Sequence, residues 1–231
     1  MIKRVVPLLL MTSLLTACSS EVKDVVQKNT TPIETPEFTT EDALSLFEVK
    51  DDIPENVLST MLGKSLPNKE VAKDLSFLTI TYIDYEGETQ VGNLVVNKKV
   101  AHEVLDIFKE IYEAKFPIER MDLVDLYDAE DNKSMLANNT SSFNYRTIAG
   151  TDVLSNHGKG VAIDINPFYN PHVINGKTSP TEAQKYADRN LNDKGMIKAG
   201  DAVHKAFTSR GWTWGGDWKN PDYQHFEKEI G

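Results

Sequence analysis

The chain has 231 residues, 40% of them hydrophobic and 26% charged, and a formal net charge of −10. That length supports one domain with a sizeable core, and the acidic balance excludes a protein that grips nucleic-acid phosphates. Cys18 is the only cysteine, which excludes a disulfide framework, a thiolate metal cluster and a cysteine nucleophile in the folded part.

Residues 1–17 read as a signal peptide. Lys3 and Arg4 form a positive start, and Val5 to Leu15 is an apolar run too short to span a bilayer as a helix. Leu15-Thr16-Ala17-Cys18 resembles a bacterial lipobox, where cleavage leaves Cys18 as a lipidated N-terminus. Losing the two cations Lys3 and Arg4 takes the net charge from −10 to −12. Residues 18–40 are rich in Ser, Thr, Lys, Glu and Pro and poor in large apolar residues, the composition of a tether. The expected location is therefore extracytoplasmic in the cell envelope, with the lipid as the membrane contact. Residues 41–231 read as one domain with its core at about 70–231, without internal repeat or second boundary.

Glu41 to Phe47 and Pro54 to Leu62 predict short helices, with Pro54 at a first turn and Gly63 as a stop. The pattern leaves open whether they belong to the domain or lead into it. Leu75 to Tyr85 and Gln90 to Val96 predict a hairpin about Glu86-Gly87-Glu88. Lys98 to Ala114 predicts a helix with an apolar stripe of Val100, Val104, Ile107, Phe108 and Ile111; His102 falls off the stripe, on the surface. Met121 to Tyr127 predicts a strand, and Asp128 to Asn132 a polar loop. Its acids lack the Gly and closing Glu of a calcium loop.

From Ser142 to Arg146 an alternating pattern places Ser142, Asn144 and Arg146 on one side and Phe143 and Tyr145 on the other. Ser155-Asn156-His157-Gly158-Lys159-Gly160 then leads into a second alternation. Val161, Ile163 and Ile165 share an apolar face, while Ala162, Asp164 and Asn166 share the opposite one. His157 stands where it can fold back toward Asp164, and the two make half of a metal site. Phe168 to Gly195, punctuated by Pro, Asn and Gly, predicts a long wall-forming loop with one short helix near Thr181 to Tyr186. His172, within it, is expected to be structural or substrate-facing. Asp201 to Ser209 predicts a helix capped by Asp201 and stopped by Gly211, with His204 exposed on it.

The other half of the site lies at the end of the chain. Trp212, Trp214 and Trp218 precede Asp222-Tyr223-Gln224-His225-Phe226-Glu227. His225 supplies a third ligand. Two His and one carboxylate with a fourth position open describe a catalytic zinc, whereas a structural zinc is closed by four protein ligands. Asp222 is placed as a base for a water activated there. Glu227 shares a strand face with His225, as an outer carboxylate would.

Ser-x-His-x-x-Gly-x-Ala-x-Asp followed by Asp-x-x-His resembles the M15 zinc peptidases, the D-alanyl-D-alanine carboxypeptidases and L-alanyl-D-glutamate endopeptidases that trim bacterial cell-wall peptides. The resemblance spans roughly residues 50–231. It implies zinc on His157, Asp164 and His225, Asp222 as the base, and Arg146 reaching into the cleft toward a substrate carboxylate or the developing oxyanion. Several members carry Glu where this chain has Asp222. Ser155 is expected to bond substrate or orient the site. The implied partner is a peptidoglycan stem peptide and the expected state a monomer; the D-alanyl-D-alanine bond is the first expectation and the L-alanyl-D-glutamate bond the second.

Three other readings are weaker. Ser155, His157 and Asp164 include the types of a hydrolase triad, but no Gly-x-Ser-x-Gly elbow is present and Ser155 lies too close to His157 in an extended stretch. A zinc-bearing peptidoglycan-binding lipoprotein needs no base beside the metal. A zinc scavenger needs His-rich tracts, and the five His are scattered. The expected fold is a single α+β domain, a small and mostly antiparallel sheet carrying the ligands with helices on one side, as in the Hedgehog-like relatives of this family.

Overall fold

A computed structural model describes residues 39–231. The expected signal peptide, the expected lipid anchor at Cys18 and nearly all of the expected tether lie outside the described residues. Among the described residues no helix is long and apolar enough to cross a membrane.

The described chain is α+β. Helix α1 (Thr40–Ser45) starts at a capping box, in which the Thr39 hydroxyl accepts the Asp42 N–H and the Asp42 carboxylate accepts the Thr39 N–H, so two orphan donors are met at once. Strand β1 (Glu48–Lys50) joins a sheet in the order β1-β2-β3 with β2 (Leu75–Ile83) and β3 (Thr89–Asn97). Between them lie the short helices α2 (Glu55–Met61) and α3 (Lys69–Ala72). The β2–β3 ladder is antiparallel and runs in register from Leu75↔Asn97 to Ile83↔Thr89.

The sheet is covered on both faces. Leu78, Ile80, Tyr82, Leu94 and Val96 pack with the stripe of α4 (Ala101–Glu113), while Leu75, Phe77 and Val95 pack with Ile53, Leu58, Met61, Leu66 and Phe143. This double burial explains why β2 is buried along nearly its whole length, Ser76 and Thr81 included. The packed core reaches back to Ala43, well ahead of residue 70, so the early helices are part of the domain.

The metal-site residues sit on a second, smaller sheet. Its order is β4 (Ala162–Asp164), β8 (His225–Glu227), β7 (Thr213–Trp214), all antiparallel, with Asp164 directly opposite His225. Ile163, Ile165 and Phe226 turn inward to the α4 core, joined by Val203, Ala206 and Phe207 of α6 (Ala202–Thr208). Asp201 caps α6 by accepting the His204 N–H. Gly160 joins the two sheets: its carbonyl accepts from Asn97 N at 2.8 Å, and it has φ +72° with only 2.7 Å between a notional Cβ and that nitrogen. Both facts call for glycine.

Several local expectations are corrected. Met121 to Tyr127 is not a strand: Val124–Tyr127 is a 3-10 turn ending in Asp128 with φ +59°. The polar stretch after it begins helix α5 (Asp131–Leu136), and Lys133 pairs with Asp128 and Glu130. The long loop holds an antiparallel hairpin, β5 (His172–Ile174) and β6 (Lys177–Ser179), closed by Asn175 and Gly176, both at positive φ. A two-residue Asn-Gly loop is a strong hairpin signal. His204 is half-buried, edge-on to Trp214 with ring centroids 5.3 Å apart.

Candidate metal centre and its cleft

The turn before β4 aims His157. The Ser155 hydroxyl accepts the Gly158 N–H at 3.0 Å, and the Gly160 N–H bonds back to the His157 carbonyl. Ser155 is buried, and its visible task is thus to close this turn and orient the site. The His157 ring meets Asp164 at 3.3 Å (Nε2 to Oδ2), and His225 Nδ1 meets Asp164 Oδ1 at 3.0 Å. Ligand atoms of His157, Asp164 and His225 all lie within 4.8 Å of one another.

The outer hydrogen bonds fix which nitrogens face inward. His157 Nδ1 lies 2.7 Å from the Ser142 carbonyl oxygen. A carbonyl only accepts, so Nδ1 carries the hydrogen and Nε2 offers its lone pair. His225 Nε2 lies 2.9 Å from Glu227 Oε2, which by the same reasoning leaves Nδ1 as the inward donor. The two inward nitrogens are 3.2 Å apart. Two lone pairs and a carboxylate converging on one point repel unless a proton or cation lies among them. The donor set therefore fits a divalent ion such as zinc, whose usual ligands are imidazole nitrogen and carboxylate oxygen.

Without a cation, a proton serves the same need for positive charge among these groups. Burial favours neutral His225, but hydrogen bonds to Asp164 and Glu227 outweigh it and push its pKa up to about 10. Burial alone would raise Asp164, yet the His157 charge and hydrogen bond, together with His225, hold it far below the usual carboxylate range. The His225 hydrogen bond also lowers Glu227, against its partial burial. Glu227 is fixed in turn by Asn156 Nδ2, 2.8 Å away. Its place beside His225 is the one strand alternation gives it.

These groups open onto a cleft of about 480 Å³ whose walls include Arg146, His172, Trp218 and Asp222. Asp222 is largely buried beside the cluster, its side chain 13% exposed. Burial pushes its pKa upward, reinforced by the nearby Asp164 charge. Its Oδ1 accepts from Gln224 Nε2 at 3.1 Å, and its Oδ2 faces His172 Nδ1 at 3.6 Å. Arg146 lines the cleft as expected, and Asp131 of α5 lies against its Nε. The strand-like alternation around it holds in part: Ser142, Phe143 and Asn144 are buried, and Tyr145 is exposed. The three Trp divide: Trp212 and Trp214 belong to the core, while Trp218 is 38% exposed and its ring centroid lies 5.4 Å from that of His225.

Residues 149–228 match the family model described as D-alanyl-D-alanine carboxypeptidase. This segment resembles the M15 metallopeptidase family. No curated protein and no solved structure matches the chain. The M15 segment contains His157, Asp164, Asp222 and His225 and stops before the final residues. Arg146 and Asp131 lie ahead of it, so their place in the cleft comes from the three-dimensional structure. Sequence reasoning missed Asp131, Asn156 and Gln224 as neighbours of the site and left His172 without a defined role. Asn156 and Gln224 each stand beside a predicted ligand and were legible as neighbours; Asp131 was hidden in a stretch read as solvated loop.

The M15 segment also depends on Gly215. A notional Cβ there meets the Asp222 carbonyl oxygen at 2.6 Å, the Asp222 Cβ at 3.0 Å and the His225 Cβ at 3.3 Å. Gly215→Ala should therefore displace Asp222 and His225 together and lower kcat by about 10²-fold, the cost of an ångström-scale misplacement. Steady-state kinetics on a variant with an unchanged circular dichroism spectrum checks this; full activity would show that the backbone yields there without harm.

Proposed function

We propose that this chain is a zinc-dependent peptidase of peptidoglycan stem peptides, acting first on the terminal D-alanyl-D-alanine bond as a carboxypeptidase, with the L-alanyl-D-glutamate bond as the second choice. We also propose that it works outside the cytoplasm, anchored through a lipid on Cys18. The observation that carries the catalytic reading is the convergence of His157, Asp164 and His225 beside the largely buried Asp222 in one cleft.

Zinc bound by the three ligands supplies Lewis acidity toward the peptide carbonyl and makes water more acidic. The chain's own groups do the rest. Ser142 and Glu227 hold the two imidazoles in the tautomers that present Nε2 of His157 and Nδ1 of His225. Asp222, with Oδ1 held by Gln224, accepts the proton of the attacking water on Oδ2 and returns it to the leaving amine. Arg146, steadied by Asp131, offers its guanidinium to a substrate carboxylate or to the oxygen on which negative charge develops. Exposed Trp218 covers one side of the cleft and shields the reacting groups from bulk water.

The test is a mass-spectrometric digest of a defined stem pentapeptide by the zinc-loaded protein, with a chelated sample beside it. Loss of one D-alanine that requires metal establishes the carboxypeptidase, and a fragment cut after L-alanine establishes the endopeptidase. Tight zinc binding with no cleavage of either bond would leave a metal-bearing binding module in its place.

A further inference from the structure

His172 belongs to the hairpin wall of the cleft. Antiparallel backbone pairing sets it directly across from Asp222: the two residues form a bridge, and the flanking Val173 N–H bonds to the Pro221 carbonyl at 2.7 Å. The imidazole Nδ1 is 3.6 Å from Asp222 Oδ2. That is ion-pair range, and one that closes to a hydrogen bond with a shift of about half an ångström. The side chain of His172 is 30% exposed and lines the cleft, so it stands between the base and the substrate space.

The wall that carries His172 is built rigidly. Arg189, largely buried, donates from Nη1 to the Tyr169 and Tyr186 carbonyls and from Nη2 to Asn170 Oδ1 and the Ile197 carbonyl. Its guanidinium also stacks 4.2 Å from the centroid of the Tyr223 ring, next to Asp222 in the chain. Asn170 Nδ2 ties the same segment to the Gly195 carbonyl at 2.8 Å. Four hydrogen bonds thus tie the base of the hairpin to the segment from Tyr186 to Ile197, and the stacked ring links both to the turn that carries Asp222. Gln224 fixes one oxygen of Asp222; the side chain facing the other is His172.

We propose that His172 is the positioning residue for Asp222, its Nδ1–H holding Oδ2 in the direction from which the reacting water is deprotonated. The proposal rests on the reading of Asp222 as the base. It gives the wall hairpin a catalytic purpose beyond enclosing substrate. Placement of a base within a fraction of an ångström is what proton transfer requires, and a carboxylate held at one oxygen alone still swings about its last side-chain bond.

The test compares wild type with His172→Phe, which keeps a flat ring and removes the donor, and His172→Asn, whose amide nitrogen replaces Nδ1. Phe is expected to lower kcat by about 10- to 100-fold, the range seen when an outer partner of a catalytic group is lost. KM, metal content and melting temperature should stay close to wild type, and Asn should recover most of the rate. A purely structural role for His172 would move the melting temperature without this split, and a substrate-binding role would move KM. Either result overturns the proposal, as does an equally active Phe variant. If the wild type cleaves no stem peptide, the peptidase reading falls and takes this proposal with it; if it cleaves and the Phe variant cleaves equally well, the proposal alone falls.

Discussion

Asp222→Asn is expected to lower kcat by about 10²- to 10⁴-fold, the usual worth of a general base, while metal content and fold stay unchanged. The amide is nearly isosteric, and its oxygen can still accept from Gln224 as Oδ1 does now. What it loses is the capacity to take a proton. The pH profile gives the same role a second signature. Burial and the Asp164 charge raise the Asp222 pKa above the ordinary carboxylate value. The base works when ionised, so activity should rise with pH through that raised pKa and fall as acid protonates it. The acid limb of kcat/KM that reports this proton should be missing from the residual activity of the Asn variant. Metal loss in the variant would make Asp222 a ligand instead, and retention of most of the activity would place the base elsewhere in the cleft.

The second large effect concerns stability. Phe226→Ala should cost about 3–5 kcal/mol, the range for emptying a buried aromatic site. Phe226 is fully buried between His225 and Glu227 on β8 and stacks on Phe207 with centroids 4.2 Å apart and planes 16° from parallel. It also lies nearly parallel to Trp214 at 6.3 Å. Domains of this kind hold about 5–15 kcal/mol in all, so the variant should lose much of its stability margin, and β8 also carries His225 of the candidate metal site. Urea denaturation of wild type and variant measures the difference directly. A cost below about 1 kcal/mol would mean that the α6 and β7 aromatics close the cavity, as partial collapse does elsewhere.

Much of the site was legible because strand geometry is periodic. Alternation about Ile163 required Asp164 to face away from the core, and the same rule put Glu227 beside His225. In the structure the Asp164 carboxylate meets both His rings, and Glu227 bonds His225 across a two-residue step. Helix α4 was equally plain, since a stripe at helical spacing with charges opposite admits few other readings. The 3-10 turn at Val124–Tyr127 was not legible. Its apolar residues mimic a short strand, and no local signal reveals that there is no partner strand to pair with it.

By itself the sequence determined the ligand types, their spacing and the two elements that carry them, because these follow from side-chain chemistry and from a repeat of two along a strand. Tertiary structure alone decided what surrounds them. It set β4 against β8 so that Asp164 and His225 face each other, brought Asp131 to Arg146, and folded a Pro- and Asn-rich segment into a hairpin that places His172 opposite Asp222. Each of those contacts joins residues whose separation along the chain carries no period. They are fixed by which faces must be buried together, and that is a property of the assembled core rather than of any stretch within it.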